Sequence, residues 1–349
     1  MENTSSNTVG IDLGDKKHAI CVLNDLGEPI DERSITNHRE SIRRLSQKYP
    51  EALMVMEVGS HSPWISRFLS ELNHRVLVAN PRKVRAIYQN TRKSDERDAR
   101  MLAKIARVDE ALLYPIEHGS EEAQRDLLQI KLRDNLVRQR VDVISAVRFT
   151  LKSMGVRLKS PNTNYFARYA RKELAGDQAN LLALIEPSLL VIDQMTAQIK
   201  GFDKLLEELA DSKYPVTRTL REITGVGVIT SLAFVLTVGD PERFEKARDI
   251  GAYLGLVPKR DQSGDLDREL RISKAGDKLL RRLLVGAAQY IIGPFGSECD
   301  LRSKGLRLIE RGGQRAKKKA VVAVARTLAV VMLALWQKNE NYERVRTKV

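Results

Sequence analysis

The sequence predicts an α/β region followed by an all-α region. Up to about residue 118, short apolar runs alternate with stretches of helical periodicity, the pattern of a sheet covered by helices. After residue 119, apolar residues recur at the 3-4 spacing typical of packed helices. The 349 residues, 42% hydrophobic and 30% charged, suffice for two or three domains with packed cores. We expect three domains, residues 1–118, 119–213 and 214–349.

Four short apolar runs predict the strands of the first domain. They are residues 8–12, 19–23, 53–56 and 75–79. A turn at residues 14–17 separates the first two runs, and helical periodicity over residues 42–49 and 63–72 predicts helices between the later ones.

The second domain is expected to be a long helical hairpin with a coiled-coil seam. The seam residues are Ile130, Val137, Ile144 and Leu151 at seven-residue spacing, then Ile192, Met195, Ile199, Phe202, Leu206 and Leu209. Residues 159–164 predict a loop, and Pro187-Ser188 is interpreted as the start of the last helix. Such a seam packs either within one chain or against a second copy, and both possibilities remain open.

The third domain is predicted to be mostly helical. It contains a glycine turn at residues 223–227, a charged loop at residues 258–269 and a closing helix from Ala320. The longest apolar run, residues 320–336, has 17 residues and contains Arg326. It is short for a membrane span and predicts a buried helix, so we expect no membrane partner.

The charge of the chain indicates a polyanionic partner. The chain has 59 Lys and Arg against 45 Asp and Glu, a net charge of +14. Residues 260–349 contain 20 Lys and Arg but only 10 Asp and Glu. A basic end favours nucleic acid, with solubility alone as the alternative. The two cysteines, Cys21 and Cys299, exclude a disulfide framework and a cysteine zinc site. Because the first eight residues resemble no signal peptide, we expect a cytoplasmic protein.

Four acidic residues occupy positions that favour a metal site: Asp12, Glu57, Asp95 and Asp98. The first two end predicted strands, and the i,i+3 spacing of the others places them on one helix face. Oxygen ligands suit Mg²⁺, and two such ions ~4 Å apart stabilise both oxygens of a phosphoryl transfer. Each acid alone also fits a structural role, as a cap, a first-turn acid or a solvated strand end.

A second interpretation of the first strand is weaker. Residues 9–14 are similar to the first phosphate loop of the actin, Hsp70 and sugar-kinase ATPases. That loop usually continues with small hydroxyl residues, whereas this chain continues with Asp15-Lys16-Lys17 and has no second Asp-x-Gly loop.

The combined motifs resemble the DEDD transposases of bacterial insertion sequences, a family that includes Piv-type invertases and bridge-RNA-guided recombinases. The motifs are residues 10–12, 56–59, 80–81, 93–95 and 98–103 in the first half, and residues 223–227 and 251–258 in the second. The resemblance covers nearly the whole chain and implies a RuvC-like (RNase H-like) N-terminal domain and a C-terminal transposase domain. One departure is Val58-Gly59-Ser60-His61, where the family more often has Ala-Thr-Gly.

The resemblance also implies a nucleophilic serine shortly after the Gly-Leu-x-Pro segment, which assigns Ser263 in Ser263-Gly264. Lys259, Arg260 and Arg268 supply positive charge there, although no neighbouring histidine offers a base. Without the resemblance Ser263 would be a turn residue. Ser273 is the rival serine, interpreted as an N-cap or a phosphate contact beside Lys274.

Two further features predict nucleic-acid contacts. Gly225 and Gly227 resemble a helix–hairpin–helix turn that holds a phosphate on backbone N–H groups, with a plain tight turn as the alternative. Lys317, Lys318 and Lys319 belong to a basic run that is either a phosphate track or a solvated face.

The family's activity sets the functional expectation. The resemblance implies a recombinase that forms a phosphoserine intermediate, with Mg²⁺ (or Mn²⁺ in its place) held by the four acids. The acids and the serine lie in different predicted domains, so domain or subunit docking would assemble the site. Donor and target DNA, a noncoding bridge RNA and a homodimer that assembles into a homotetramer are the implied partners. The alternatives are a RuvC-like metal nuclease that uses water and a non-enzymatic nucleic-acid-binding protein.

Overall fold

The computed structural model describes residues 7–80, 94–159, 162–263 and 266–344, and within residues 260–269 it describes no side chains. The chain divides into two compact units, residues 1–118 and 119–349. The hairpin and the C-terminal helices belong to the second unit, and the division of the chain into three domains stays a prediction.

The first unit is built on a mixed five-stranded sheet in the order β3-β2-β1-β4-β5. Strands β1, β2 and β3 form an antiparallel meander, and β4 and β5 continue the sheet parallel to β1. The strands are β1 (Thr8–Asp12), β2 (Lys17–Leu23), β3 (Pro29–Thr36), β4 (Leu53–Glu57) and β5 (Val76–Ala79). The four predicted strands are confirmed.

Helices cover both faces of this sheet. They are α1 (Arg39–Lys48), α2 (Ser62–Glu71) and α3 (Asp95–Val108), followed by a 3₁₀ turn at Glu110–Leu113. Val9, Ile11, Met54 and Met56 face α1 and α2, since they share a core cluster with Ile42 and Ile65. The opposite face, with Val55 and Cys21, packs against α3.

Strand β3 is absent from the predicted strands. Its residues are mostly exposed, and Ile35 is its one buried residue, because β3 is an edge strand paired only with β2. Charged residues are typical of edge strands, where they discourage pairing with other chains. Hydrophobic periodicity therefore does not detect it.

The second unit begins with the predicted helical hairpin. Its elements are α4 (Glu121–Ser153), a 3₁₀ turn at Thr163–Tyr165, α5 (Phe166–Glu173) and α6 (Ala179–Lys213). The buried seam residues of α6 pack against α4 of the same chain, so the seam has an intramolecular partner. Part of the predicted loop, residues 160–161, lies outside the described residues.

The predicted start of the last hairpin helix at Pro187 is wrong. Helix α6 begins eight residues earlier, at Ala179, and Pro187 lies inside it. A proline in a helix interior removes one hydrogen bond and costs ~3 kcal/mol. The flanking residues Ile185 and Leu189 are buried against α5, and this packing offsets the cost.

The remaining helices form one core around the apolar closing helix. They are α7 (Val216–Arg221), α8 (Val228–Val238), a 3₁₀ turn at Ala247–Asp249, α9 (Ile250–Tyr253), α10 (Lys278–Ile292), α11 (Asp300–Glu310) and α12 (Ala316–Lys338). Val324, Leu328 and Met332 of α12 are fully buried in this core. Helix α12 is the one helix of the described residues that is long and apolar enough to cross a membrane, and half of its apolar window is buried inside the unit.

The predicted loop at residues 258–269 is also wrong. The backbone forms an antiparallel hairpin of β6 (Pro258–Ser263) and β7 (Leu266–Ile272), with Pro258 opposite Ile272 at its base. Arg and Asp recur along both strands, so the segment carries no apolar periodicity that would indicate a sheet.

Candidate active site

Two acids lie at the ends of neighbouring strands. In the parallel pairing of β1 and β4, Ile11 lies opposite Met56, and Asp12 and Glu57 are the next residue of each strand. Carboxyl ends of parallel strands meet at one edge of a sheet, the usual place for a ligand in such folds. Asp12 and Glu57 are both partly buried there.

Both acids are on the sheet face that α3 covers. Asp12 pairs with Ala19, which packs against Ala99 and Ala103 of α3. Glu57 follows Val55 by two residues, and Val55 packs against Leu102, so alternation places Glu57 on this face.

Gly10 allows α3 to lie close to the sheet. A Cβ atom at this position would lie 2.0 Å from the Ala99 carbonyl oxygen and 2.9 Å from the Ala103 nitrogen. Since these are backbone atoms, a side chain at position 10 would displace the helix. Glycine at this position therefore sets the distance between α3 and the strand that ends in Asp12.

The direction of α3 brings its acidic first turn to the same edge. Near its C-terminus, Arg107 donates to the Asp25 carbonyl oxygen, beyond the end of β2. In its middle, Arg100 donates to Glu32, which pairs with Cys21 halfway along β2. The N-terminal part of α3, beyond Arg100, therefore lies toward the edge where Asp12 ends β1. Asp95 and Asp98 therefore begin a helix above the same edge that carries Asp12 and Glu57.

The N-terminus of α3 is capped by Ser94 and not by either acid. The Ser94 hydroxyl accepts from the Arg97 nitrogen at 3.4 Å, and Asp95, Glu96 and Asp98 follow in the first turn. Negative charge at a helix N-terminus interacts favourably with the helix dipole, so these acids also stabilise α3. Asp95 is exposed and Asp98 half-buried, which leaves both accessible from solvent.

The donor set suits a hard divalent cation, because all four groups are carboxylates. Within the described ranges, however, no three His, Cys, Asp or Glu side chains form a group that could hold a metal ion. The structure brings the four acids to one edge and does not assemble them into a coordination sphere. Asn80 is described and Pro81 is not, and Lys93 also lies outside the described residues.

Polar residues that the sequence analysis missed form hydrogen bonds in the turn after Glu57, at the end of β4. The Ser62 hydroxyl donates to the Gly59 carbonyl oxygen at 2.9 Å, accepts from the Gly59 nitrogen and lies 2.9 Å from His118 Nε2. Burial, and secondarily Arg67, lowers the pKa of His118. The departure from the family pattern at residues 58–61, which overlaps this turn, was the sequence signal that could have identified it.

A bidentate ion pair fixes α3 to the edge strand. Arg100 donates from Nε and Nη2 to the two oxygens of Glu32, at 2.6 and 2.5 Å. The Arg100 hydrogen bond lowers the pKa of Glu32. Beneath the pair, burial first and Glu32 second raise the pKa of Cys21 to about 12, which makes this thiol a poor nucleophile.

Ser263 is the last residue of β6, and its side chain, like those of Arg260 and Arg268, lies outside the described side chains. Lys259 in the same strand is exposed. Ser273 is not a helix N-cap, because Asp277 caps α10. Its hydroxyl accepts from the Ala275 nitrogen at 3.4 Å, in the turn after β7.

The glycine turn links α7 to α8, and its two glycines have different surroundings. Gly225 has φ +84°, and a Cβ atom there would lie 3.1 Å from the Ala287 carbonyl oxygen of α10. Gly227 precedes α8 and is exposed, and a Cβ atom added to it would meet no described atom within 4 Å. Packing against α10 therefore accounts for Gly225, while the backbone at Gly227 is accessible.

Two transposase families match the chain. Residues 9–155 match the DEDD transposase family of IS110 elements, and residues 217–298 match the transposase IS116/IS110/IS902 family. Together these matches span about two thirds of the chain.

Individual relatives align over most of their length. The transposase for insertion sequence element IS1111A of Coxiella burnetii is 26% identical over 96% of this chain and 90% of its own. The transposase for element IS1328 of Yersinia enterocolitica is 26% identical over 80% and 82%. The pilin gene-inverting protein of Moraxella bovis is 22% identical over 84% and 82%.

Proposed function

Because the chain belongs to the IS110 family of insertion-sequence DEDD transposases, we propose that it cuts and rejoins DNA through a phosphoserine intermediate on Ser263. The observation that carries the proposal is the placement of Asp12 and Glu57 at the ends of adjacent parallel strands, on the sheet face that α3 and its acidic first turn cover. The strand order β3-β2-β1-β4-β5, with its antiparallel meander and parallel extension, supports a RuvC-like fold for this unit.

The proposed chemistry conserves the bond energy of the phosphodiester. The Ser263 oxygen loses its proton and bonds to phosphorus, while the bond from phosphorus to one DNA oxygen breaks and that oxygen takes up a proton. Attack by the hydroxyl of another strand then reverses the step and frees the serine. No nucleotide cofactor is required, since one phosphate ester replaces another.

The four carboxylates have a distinct role in this proposal. Asp12, Glu57, Asp95 and Asp98 would hold Mg²⁺, or Mn²⁺ in its place, and a bound ion would neutralise charge on the phosphate. Their partial exposure supports this role, since a metal that contacts DNA needs ligands open to solvent. Lys259, Arg260 and Lys274 would contribute positive charge on and beside the β6–β7 hairpin.

The proposal extends to the partners that the family resemblance implies. These are donor and target DNA, a noncoding bridge RNA, and a homodimer that assembles into a homotetramer. The net charge of +14 supports nucleic-acid binding. Leu184, Val191 and Leu205 of α6 are exposed at multiples of seven residues, and this apolar line supports contact with a second copy.

Covalent trapping tests the proposed function. Protein is incubated with Mg²⁺ and nicked DNA carrying the element's end, and adducts that survive denaturation are counted on a gel. We expect an adduct with the unaltered chain and with Ser273→Ala, and none with Ser263→Ala, which should still bind DNA. Cleavage without any adduct would favour the water-using nuclease, and binding without cleavage would favour a non-enzymatic protein.

A further inference from the structure

A basic cavity lies in the second unit, between the base of the β6–β7 hairpin and one face of α12. Its volume is about 1270 Å³, and α11 forms a third side through Lys304. Leu270, Arg271 and Ile272 contribute the hairpin side. The lining residues named here all lie in the described part of the chain, with their side chains.

The charged side chains that line the cavity are all cationic among the described residues. Among the described residues no carboxylate lines it, whereas seven cationic side chains do: Arg271, Lys274, Lys304, Arg315, Lys318, Lys319 and Arg326. Apart from Lys274, none of these forms an ion pair within the described ranges, where twenty ion pairs occur elsewhere. Seven like charges around one cavity repel one another, and a bound polyanion would relieve that repulsion.

The helical periodicity of α12 explains how this face arises. Lys318, Val322, Arg326 and Val330 follow at four-residue intervals and therefore share one face, and Arg315 directly precedes the helix as its cap residue. The opposite face carries the residues buried in the core. The basic run at residues 317–319 is consequently divided, because Lys318 and Lys319 line the cavity and Lys317 does not.

The floor of the cavity is apolar. Leu256, Val322, Ala323 and Val330 lie between the cationic groups. The Thr327 hydroxyl accepts from Lys304 at 2.7 Å and donates to the Ala323 carbonyl oxygen at 3.0 Å, so its donor is already used. A ligand with anionic groups at its margin and weakly polar groups at its centre matches this lining.

We propose that this cavity holds a single strand of DNA, with phosphates on the cationic rim and deoxyribose and base on the apolar floor. The proposal rests on the proposed function and deepens it by naming the state of the substrate. A volume of about 1270 Å³ is that of a cube about 11 Å on a side, so the cavity is too small to enclose a duplex, whose major groove alone is ~12 Å wide. It exceeds the ~300–1,000 Å³ of pockets for drug-sized ligands, which leaves room for more than one nucleotide.

The floor favours DNA over RNA. Each ribose adds a 2′-hydroxyl, and burying a hydroxyl without a partner is unfavourable. The Thr327 hydroxyl, which also lines the cavity, already forms two hydrogen bonds. The β6–β7 hairpin extends from this cavity to Ser263. Ser263 lies five residues after Pro258, which is ~17 Å along the strand at ~3.4 Å per residue. A strand held here would continue toward the proposed nucleophile.

Fluorescence anisotropy with the full chain tests the cavity. The probes are a labelled 12-nucleotide single strand of DNA, the same sequence as a duplex, and the same sequence as RNA, each over a range of salt. Lys318→Gln with Arg326→Gln should reduce the salt slope for single-stranded DNA by about 1.4, since each lost phosphate contact removes ~0.7. The matched control is Lys338→Gln on the same helix, which removes an exposed lysine paired with Glu340 at 3.8 Å and should leave the slope unchanged.

A second variant separates a cavity from a charged surface. Ala323→Trp fills the floor and removes no charge, so it should weaken single-strand binding at least tenfold and spare the duplex. Unfolding midpoints of all variants establish that they fold. Normal single-strand binding by Ala323→Trp, equal losses for duplex and single strand, or tighter binding of the RNA would each overturn the proposal.

The cavity and the proposed function fail separately. Adduct formation is scored on the same preparations. A chain that binds single strands through the cavity but never forms an adduct contradicts the proposed function alone. A chain that forms the adduct while Ala323→Trp binds single strands normally contradicts the cavity alone.

Discussion

At the scale of residues, the four acids differ from ordinary surface carboxylates in their placement. Asp12 and Glu57 end adjacent parallel strands, and Asp95 and Asp98 begin the helix packed over that edge. The sequence predicted the strands and the helix from apolar patterning. It could not predict how closely they meet, which depends on Gly10 lying against the backbone of Ala99.

Replacing Asp12 or Asp95 by Asn tests the metal role. The change keeps the size of the side chain and removes the charge that attracts Mg²⁺, so recombination should fall by orders of magnitude. Stability should change little, since neighbouring carboxylates without a metal repel one another. The measurements are recombination of a reporter plasmid and thermal unfolding of each variant.

Asp15→Asn is the matched control, because Asp15 follows β1 and its side chain is 92% exposed. It should keep normal recombination. Near-normal activity in Asp12→Asn or Asp95→Asn would rule out the four-acid site.

At the scale of elements, one ion pair joins α3 to β3 and predicts a pH dependence. The pKa of Glu32 is lowered by Arg100, so the pair stabilises the fold above the ordinary carboxyl pKa of 4.5 and the contribution is lost as pH falls through the lowered value. Since both side chains are partly exposed, Glu32→Gln should cost at most ~1 kcal/mol at neutral pH.

Urea unfolding of the unaltered chain and of Glu32→Gln, near pH 7 and at about pH 3, measures this difference. The difference in free energy of unfolding between the two chains should be largest at the higher pH and smaller at the lower. A difference that stays constant over this range would mean that the ion pair does not hold α3.

Helix α6 provides a second element-scale prediction. Pro187 removes one backbone hydrogen bond from the helix interior, and Ala has the highest helix propensity. Proline also restricts the unfolded chain, worth ~1 kcal/mol, which reduces the ~3 kcal/mol helix penalty. Pro187→Ala should therefore raise the free energy of unfolding by about 2 kcal/mol, measured by urea unfolding. A loss of stability would show that Ile185 and Leu189 need a proline-bent helix to pack.

The elements also show why part of the fold escaped prediction. Strand β3 and the β6–β7 hairpin are rich in charge, so neither has the apolar alternation that indicates a strand. Pro187 normally indicates a helix start, and only tertiary packing of its neighbours overrides that signal. Where an element is buried, as β1, β2, β4 and the hairpin seam are, its apolar pattern was sufficient to predict it from the sequence.

At the scale of the whole molecule, the two units have separate cores and different charged features. The first unit presents carboxylates at a sheet edge, and the second gathers lysines and arginines around a cavity. The excess of positive charge after residue 260 predicted the second feature in outline. Which lysines of the run at residues 317–319 line the cavity could be determined only from the register of α12.

The central claim is that Ser263 carries the covalent link to DNA. Trapped adduct is digested with protease and nuclease, and the peptide that retains a nucleotide phosphate is sequenced by mass spectrometry. We expect the modification on Ser263, in the peptide that contains β6. A phosphate on Ser273, or on any residue other than Ser263, would contradict it.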